Sequence, residues 1–182
     1  MSRRRTTAAF PALLWDLLTP RGGGQAKPRP KKNPRRPTTN TRPVRRAGAM
    51  QQKYEAVTRE MLARYGVRVR KWRTSMSGVA WQVTYRDGTT ARLIEAPKPK
   101  GPMSAAIFLH EIGHHAIGFG TYRPRCLEEY HAWKFSIETM EAEGLNVTDR
   151  VRARMRDSLR YAVAKARRRG LKRVPDELVP FL

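Results

Sequence analysis

The stretch AAIFLHEIGHHAIGFG, residues 105–120, decides both the fold and the chemistry that the sequence predicts. It places His110, Glu111 and His114 in an H-E-x-x-H spacing within an otherwise apolar segment. Residues four apart on a helix lie one above the other, so His110 and His114 can offer ring nitrogens to one Zn²⁺. Glu111 lies one position round the helix, where it can take a proton from a water at the metal. The pattern predicts a zinc site with Glu111 as general base.

The alternative interpretation is a core helix that happens to contain three polar residues. The frame around them is apolar, with Phe108, Leu109 and Ile112 close by. Burying two imidazoles and a carboxylate without a metal would be costly, since each would need polar partners. The sequence therefore favours the metal site.

A catalytic zinc usually has three protein ligands and one open position, so a third ligand must come from elsewhere. The extended pattern H-E-x-x-H-x-x-G-x-x-H is absent, because Ile117 and Gly120 occupy its Gly and last His positions. A second helix is predicted at 125–143 and contains several candidates. They are Cys126, Glu128, Glu129 and His131. The residues alone leave this choice open.

The segment HEIGHH followed by EYHAWKF resembles the gluzincin metallopeptidases, and most of all the small ImmA/IrrE-type proteins of bacteria, phages and mobile elements. Their second helix carries Glu, then Ala three residues on, then a bulky apolar residue three further. Glu129, Ala132 and Phe135 fit that register. The resemblance covers about residues 50–145 and implies that Glu129 is the third zinc ligand. It also implies cleavage of a protein substrate, with a DNA-associated protein as the candidate.

One position departs from this family. Asn or Asp commonly follows the helix alanine there and supports a zinc-binding histidine, whereas this chain has Trp133. Either another group orients His110 or the metal is bound more weakly, by about 10–100-fold.

The predicted fold is α+β. A helix from about 50 to 65 ends at Gly66, and three strands at 67–73, 79–85 and 89–96 form a small antiparallel sheet, with Asp87-Gly88 as a two-residue hairpin turn. The zinc helix at 103–117 and the glutamate helix follow, and Thr148 is the predicted N-cap of a long last helix. The resemblance implies that helix, sheet and two site helices form a zincin-like minimal metallopeptidase core.

The charge divides the chain into three parts. Residues 1–49 form a Pro-, Gly- and Arg-rich tail, residues 50–146 the zinc domain, and residues 147–182 a basic helix and tail packed on it. Residues 1–50 hold 13 lysines and arginines against one acid within a net charge of +23. So polar a segment should stay disordered and attract nucleic-acid phosphates without reading sequence. Its short apolar part, residues 10–18, is either a docking peptide or a segment folded back on its own domain.

Cysteine content and hydropathy bear on the compartment. Cys126 is the single cysteine, so no intramolecular disulfide can form, and no apolar run approaches 18 residues. Asp16 interrupts the one apolar patch near the N-terminus, which argues against a signal peptide. We expect a cytoplasmic protein of a bacterium or phage-infected host cell, with no membrane span.

Other polar residues give weaker signals. His115 points about 100° away from His114 and is expected to be partly exposed. Tyr122, Arg123 and His131 are candidates to stabilise a developing oxyanion. Trp72, Trp81 and Trp133 are expected in the core or on a sheet face. The arginines of the last helix form either a solvated surface or a nucleic-acid face.

Two functions compete at this point. The first is a zinc-dependent peptidase whose substrate lies extended along an exposed sheet edge, most simply the strand at 89–96. The second is a nucleic-acid-binding accessory protein with a structural or inactive zinc. A fourth protein ligand would favour the second function, and an open coordination position would favour the first.

We predict that deleting residues 1–48 leaves the zinc domain folded but weakens duplex DNA binding. The deleted segment holds 13 of the 38 basic residues and few residues able to form a core. The slope of log K against log salt should fall by about 0.9 for each phosphate that the shorter chain does not neutralise. Titrations at several salt concentrations measure it for both forms. An unchanged slope would show that the tail is a passive linker.

Overall fold

The computed structural model describes residues 48–182, so the N-terminal tail and its segment 10–18 lie outside the described residues. Within them the α+β architecture is confirmed. The elements are α1 (Ala49–Tyr65), β1 (Val67–Arg73), β2 (Val79–Thr84), β3 (Thr90–Pro97), α2 (Pro102–Ile117), α3 (Arg125–Ala142), α4 (Asp149–Arg168) and a 3₁₀ helix at Asp176–Phe181.

The sheet is mixed, and the prediction of an antiparallel sheet was wrong for one of its two pairs. The strand order is β1-β3-β2, with β2 antiparallel and β1 parallel to β3. The strand predicted as an exposed edge, 89–96, is therefore the central one, and β1 and β2 are the edges. Alternation along a strand reports which face is buried but not which neighbour it pairs with, so the sequence could not decide this order.

The hairpin between β2 and β3 has a longer loop than the Asp87-Gly88 pair predicted. Tyr85 and Thr89 close it, with the amide of Tyr85 donating to the Thr89 carbonyl at 2.8 Å. Three residues lie between them, and Gly88 takes a φ of +83°. The amide of Gly88 donates to the Tyr85 carbonyl. The glycine thus supplies the left-handed residue that follows the turn in a three-residue hairpin.

The ends of the site helices follow from local chemistry. Pro102 starts α2, and the Ser104 hydroxyl accepts hydrogen bonds from the amides of Lys100 and Gly101 at 2.9 and 3.2 Å. The predicted cap of α4 is confirmed, since Thr148 accepts a hydrogen bond from the Val151 amide at 3.3 Å. These caps set where each helix begins and so which residues face its neighbours.

The central element is α2, which is buried at every residue from 104 to 115. It packs on β3, α1, α3 and α4. Phe108, Leu109 and Ile112 are at most 1% exposed and form the middle of the core. A helix enclosed on all sides holds its polar residues in fixed positions, because neither their backbone nor their rotamers have room to move.

The two site helices approach most closely at Gly113. A Cβ built there would lie 2.8 Å from the Ala132 carbonyl oxygen and 3.1 Å from the Phe135 ring. Ala132 is fully buried at this contact. Further along, the Ser136 hydroxyl donates to the Ala106 carbonyl at 2.7 Å. The contact between α2 and α3 is thus set by small residues and one buried hydrogen bond.

Among the helices of residues 48–182, none combines the length and apolar character that crossing a membrane requires.

We predict that Gly113→Ala destabilises the fold although alanine is the better helix former. Helix propensity alone would gain about 1 kcal/mol. The added methyl group instead meets the backbone of α3 and forces the helices apart, at a cost of about 1–3 kcal/mol. Chemical denaturation measures the free energy of unfolding. A stabilised variant would show that the helices are not in close contact at this point.

Candidate metal centre

Two elements bring three predicted ligands together. His110 and His114 lie one turn apart on α2, with ring centroids 4.8 Å apart. Glu129 on α3 faces both, and its Oε2 lies 3.4 Å from Nε2 of His110 and 3.7 Å from Nε2 of His114. Ligand atoms of the three residues all lie within 4.8 Å of one another. The cluster could therefore hold a metal ion.

The neighbouring carboxylate, Glu128, has a different position. Its Oε1 accepts a hydrogen bond from Nδ1 of His114 at 3.1 Å, and its Oε2 accepts one from the Gly120 amide at 3.0 Å. It is 2% exposed and is not part of the cluster. A carboxylate on Nδ1 fixes the ring and leaves Nε2 as the acceptor nitrogen, which is how metal-binding histidines are commonly oriented. Glu128 thus orients the candidate ligand His114 and lies outside the cluster that Glu129 joins.

His110 is held differently from His114. The ring of Trp133 lies against it, with centroids 4.5 Å apart and an angle of 32° between the planes. Its Nδ1 is buried and has no hydrogen-bond partner within residues 48–182. Trp133, which stands where the resembling family commonly has Asn or Asp, therefore positions His110 by ring packing and offers no acceptor to its Nδ1. Of the two histidines, only His114 gains the added basicity that a carboxylate partner gives.

Electrostatics agree with a site built for a cation. Burial lowers the pKa of His110. Burial also works against a charged His114, but its hydrogen bond to Glu128 and the nearby Glu129 carboxylate outweigh burial and raise that pKa to about 10. Burial works against the charged form of Glu129, but the two adjacent histidines outweigh it and hold the pKa of Glu129 well below its usual value. The carboxylates thus favour a positive charge at the point where the three side chains meet.

Glu111 lies beside the cluster, under the start of β2. A Cβ at Gly78 would overlap the carboxylate of Glu111, so a larger residue at this position would displace that side chain. Burial raises the pKa of Glu111 to about 8. Such a group is able to accept and release a proton near neutral pH. The structure thus places a carboxylate of raised pKa next to the candidate ligands.

The cluster opens on a cavity of about 590 Å³ between β2, α2, α3 and α4. His110, Glu111, His114 and Glu129 all line it. Its far wall is α4, for which the sequence predicted only a solvated or nucleic-acid-binding surface. Four residues of that wall are Arg154, Ser158, Tyr161 and Lys165. These four residues are spaced three or four apart in the sequence. This spacing could have predicted that they share one side of the helix.

The other polar residues singled out in the sequence do not line this cavity. His115 was expected to be partly exposed but is 4% exposed, and its Nε2 donates to the Leu93 carbonyl at 3.1 Å. His115 thus ties α2 to the central strand β3. Tyr122 and His131 stack on each other with centroids 3.7 Å apart. Arg123 precedes α3 and is exposed.

Cys126 lines the cavity but does not join the ligand cluster. Burial raises the pKa of its thiol, which disfavours the thiolate that binds metals. Within residues 48–182, the cluster consists of three residues that could bind a metal, and no fourth His, Cys, Asp or Glu joins it.

Trp72 was expected in the core or on a sheet face. It is 38% exposed and contacts Phe108, with ring centroids 6.0 Å apart.

Neither a scan against protein-family models nor searches of curated proteins and solved structures found a match to this chain, so the site's own geometry carries the functional argument.

Proposed function

We propose that this protein is a zinc-dependent peptidase of the gluzincin type, with His110, His114 and Glu129 as zinc ligands and Glu111 as the general base. The observation that carries the proposal is the arrangement at one cavity wall. A His/His/Glu ligand set and a separate carboxylate of raised pKa face the same 590 Å³ cavity. A structural metal site requires neither a general base nor a cavity for a substrate.

The donor set fits zinc. Two ligands each about 2.1 Å from a tetrahedral Zn²⁺ lie roughly 3.4 Å apart. The two separations between Glu129 Oε2 and the Nε2 atoms, 3.4 and 3.7 Å, are close to this value, and ligand atoms of all three residues lie within 4.8 Å of one another. Imidazole nitrogens and a carboxylate oxygen are also the ligands of catalytic zinc, and three of them leave the fourth position open. The element order of helix, sheet, H-E-x-x-H helix and glutamate helix agrees with the zincin-like core that the resemblance implies.

A zinc ion bound there would supply Lewis acidity to a peptide carbonyl and make a water acidic near neutral pH. The chain's own part in the reaction belongs to Glu111. Its carboxylate takes the proton of the attacking water and returns it to the amine that leaves. Gly78 above it and Ile112 beside it on α2 are both buried, so the carboxylate is held in one place.

The substrate is expected to bind along β2, which replaces the strand at 89–96 as the candidate edge. Val79 and Ala80 of this strand line the cavity, and its second edge has no strand beside it in the described residues. An extended peptide can add to such an edge through main-chain hydrogen bonds. This would bring a peptide bond across the mouth of the site, where Glu111 lies under Gly78.

The charge of the chain supports a proposal about the substrate protein. A tail that is attracted to phosphates would carry the enzyme to nucleic acid, so we propose that its substrate is a DNA-associated protein. The competing function, a nucleic-acid-binding accessory protein, has the same charge in its favour. It is disfavoured by the three-ligand set found in residues 48–182, because structural zinc sites are closed by four protein ligands.

We predict about one zinc per chain, with different roles for the adjacent glutamates. Glu129→Ala should lose the metal, because it removes the ligand that α3 contributes to the cluster. Glu128→Ala should keep it with affinity lower by about 10–100-fold, since it loses only the partner of His114. Elemental analysis and competition with a chelator measure both, and circular dichroism checks folding.

The exposed Glu138→Ala on the same helix is the matched control and should bind zinc normally. Zinc retained in Glu129→Ala but lost in Glu128→Ala would make Glu128 the ligand. Zinc lost in His131→Ala would indicate a three-histidine site instead.

We predict that Glu111→Gln abolishes peptide cleavage while zinc content and folding stay normal. Gly78→Ala should behave similarly, because its methyl group would occupy the position of the Glu111 carboxylate. A general base typically contributes about 10²–10⁴-fold. The assay incubates the purified chain with a peptide library, with and without a chelator, and reads new N-termini by mass spectrometry. Cleavage that survives in zinc-loaded Glu111→Gln would rule out this role.

A further inference from the structure

The cavity wall opposite the metal cluster is basic. Arg154, Lys165 and Arg169 of α4 and its end line the cavity, and Arg125 of α3 joins them. The carboxylates that line the cavity are Glu111 and Glu129, and both belong to the metal centre. Arg125 already contacts Glu129, with Nε 3.2 Å from Oε1. Three of the four basic residues that line the cavity thus belong to α4 and its end.

These α4 residues share one face of the helix. With 3.6 residues per turn, positions 154, 158, 161, 165 and 169 fall within an arc of about 80°. From Arg154 to Arg169 the helix rises about 22 Å, which is the length of six or seven residues of extended chain. The cationic face thus runs beside a whole substrate segment rather than at a single point.

Arg154 and Lys165 both line the cavity, and each has a contact outside the metal cluster. The Arg154 guanidinium donates to the Met76 carbonyl at 3.1 Å, which joins α4 to the loop before β2. The Lys165 ammonium lies over the ring of Tyr161, 5.8 Å from its centroid. Within residues 48–182, the structure gives Lys165 no carboxylate partner. A carboxylate entering the cavity would supply that partner.

The same wall is partly apolar, and this favours an acidic peptide over a nucleic acid as its ligand. Ala162, Ala166 and Leu171 line the cavity between and beyond the cations, and Ile107 lies across from them. A peptide offers isolated carboxylates separated by side chains that pack on such surfaces. A nucleic-acid backbone repeats its charge at every nucleotide and is commonly bound with its bases stacked on several aromatic rings, whereas α4 brings one aromatic residue, Tyr161, to this wall.

We infer that the proposed peptidase selects acidic substrates, in which an Asp or Glu side chain close to the scissile bond binds the cationic face of α4 at Arg154 and Lys165. This inference rests on the proposed function, since it names the substrate class of the same site. It assigns to α4 a specificity role, and it places the determinants outside the two helices that hold the metal cluster.

The experiment measures binding separately from cleavage. Zinc-loaded full-length Glu111→Gln is titrated into dye-labelled peptides that carry Glu or Asp, or their amide counterparts Gln or Asn, at the central positions. Fluorescence anisotropy at 0.15 M salt gives both affinities. We expect the acidic peptides to bind about tenfold tighter, and Lys165→Gln or Arg154→Gln to reduce that ratio to about threefold or less.

Arg156→Gln is the matched control, because it removes the same charge from the same helix. Arg156 is exposed, does not line the cavity and lies about 180–200° round the helix from Lys165 and Arg154. A helix is about 10–12 Å wide and the Debye length is about 8 Å, so its charge is screened from the cavity. The control should keep the tenfold ratio. An equal loss in Arg156→Gln and Lys165→Gln would overturn the inference and assign the preference to overall charge.

Two further outcomes separate this inference from the peptidase proposal. Cleavage of neutral and acidic library peptides at equal rates by the native chain would overturn the acidic preference and leave the peptidase standing. A second result would be no cleavage of any peptide, together with tighter binding of acidic peptides that still depends on Lys165. It would overturn the peptidase proposal and leave the cationic face as a binding site for acidic peptides. A single-stranded oligonucleotide that binds with the same dependence on Lys165 and displaces the peptides would assign the cavity to nucleic acid instead.

Discussion

The site depends on how closely α2 and α3 approach each other. At Gly113 there is no space for even a methyl group, because the backbone of Ala132 occupies it. Glu129 stands one turn before Ala132 on α3, and its carboxylate reaches both histidines from there. With a wider helix separation, the same three residues would remain in the sequence but their ligand atoms would no longer converge. The small residues thus act on the chemistry indirectly, through the distance between two backbones.

A second constraint comes from the sheet. Gly78 lies so close to Glu111 that a side chain at this position would collide with the carboxylate. On the same helix, His115 donates to the Leu93 carbonyl of the central strand. The sheet therefore fixes α2 from one side and α3 fixes it from the other. Such a helix has little freedom to rotate, which preserves the angular relation between Glu111 and the two histidines.

Sequence reasoning succeeded where local signals were strong. The helix bounds follow from caps such as Thr148 and Gly66, and the ligand spacing on α2 is a property of any helix. It failed where distant parts of the chain decide the outcome. The place of β3 between β1 and β2 depends on long-range pairing, and the burial of His115 depends on where that strand lies. The role of Glu128 depends on the loop at Gly120 folding back over α3.

The same distinction applies to charge. A count of +23 predicts attraction to any polyanion but does not show which basic residues face a ligand. The carboxylates that line the cavity belong to the candidate metal centre, whereas its arginines and its lysine lie on α3, on α4 and at the end of α4. The wall across from the metal centre, where Arg154 and Lys165 lie, would therefore contribute positive charge to the potential there. In the proposed peptidase, α2 and α3 would supply the reactivity, and α4, which lies outside the region of family resemblance, would determine which peptides are attracted to the site.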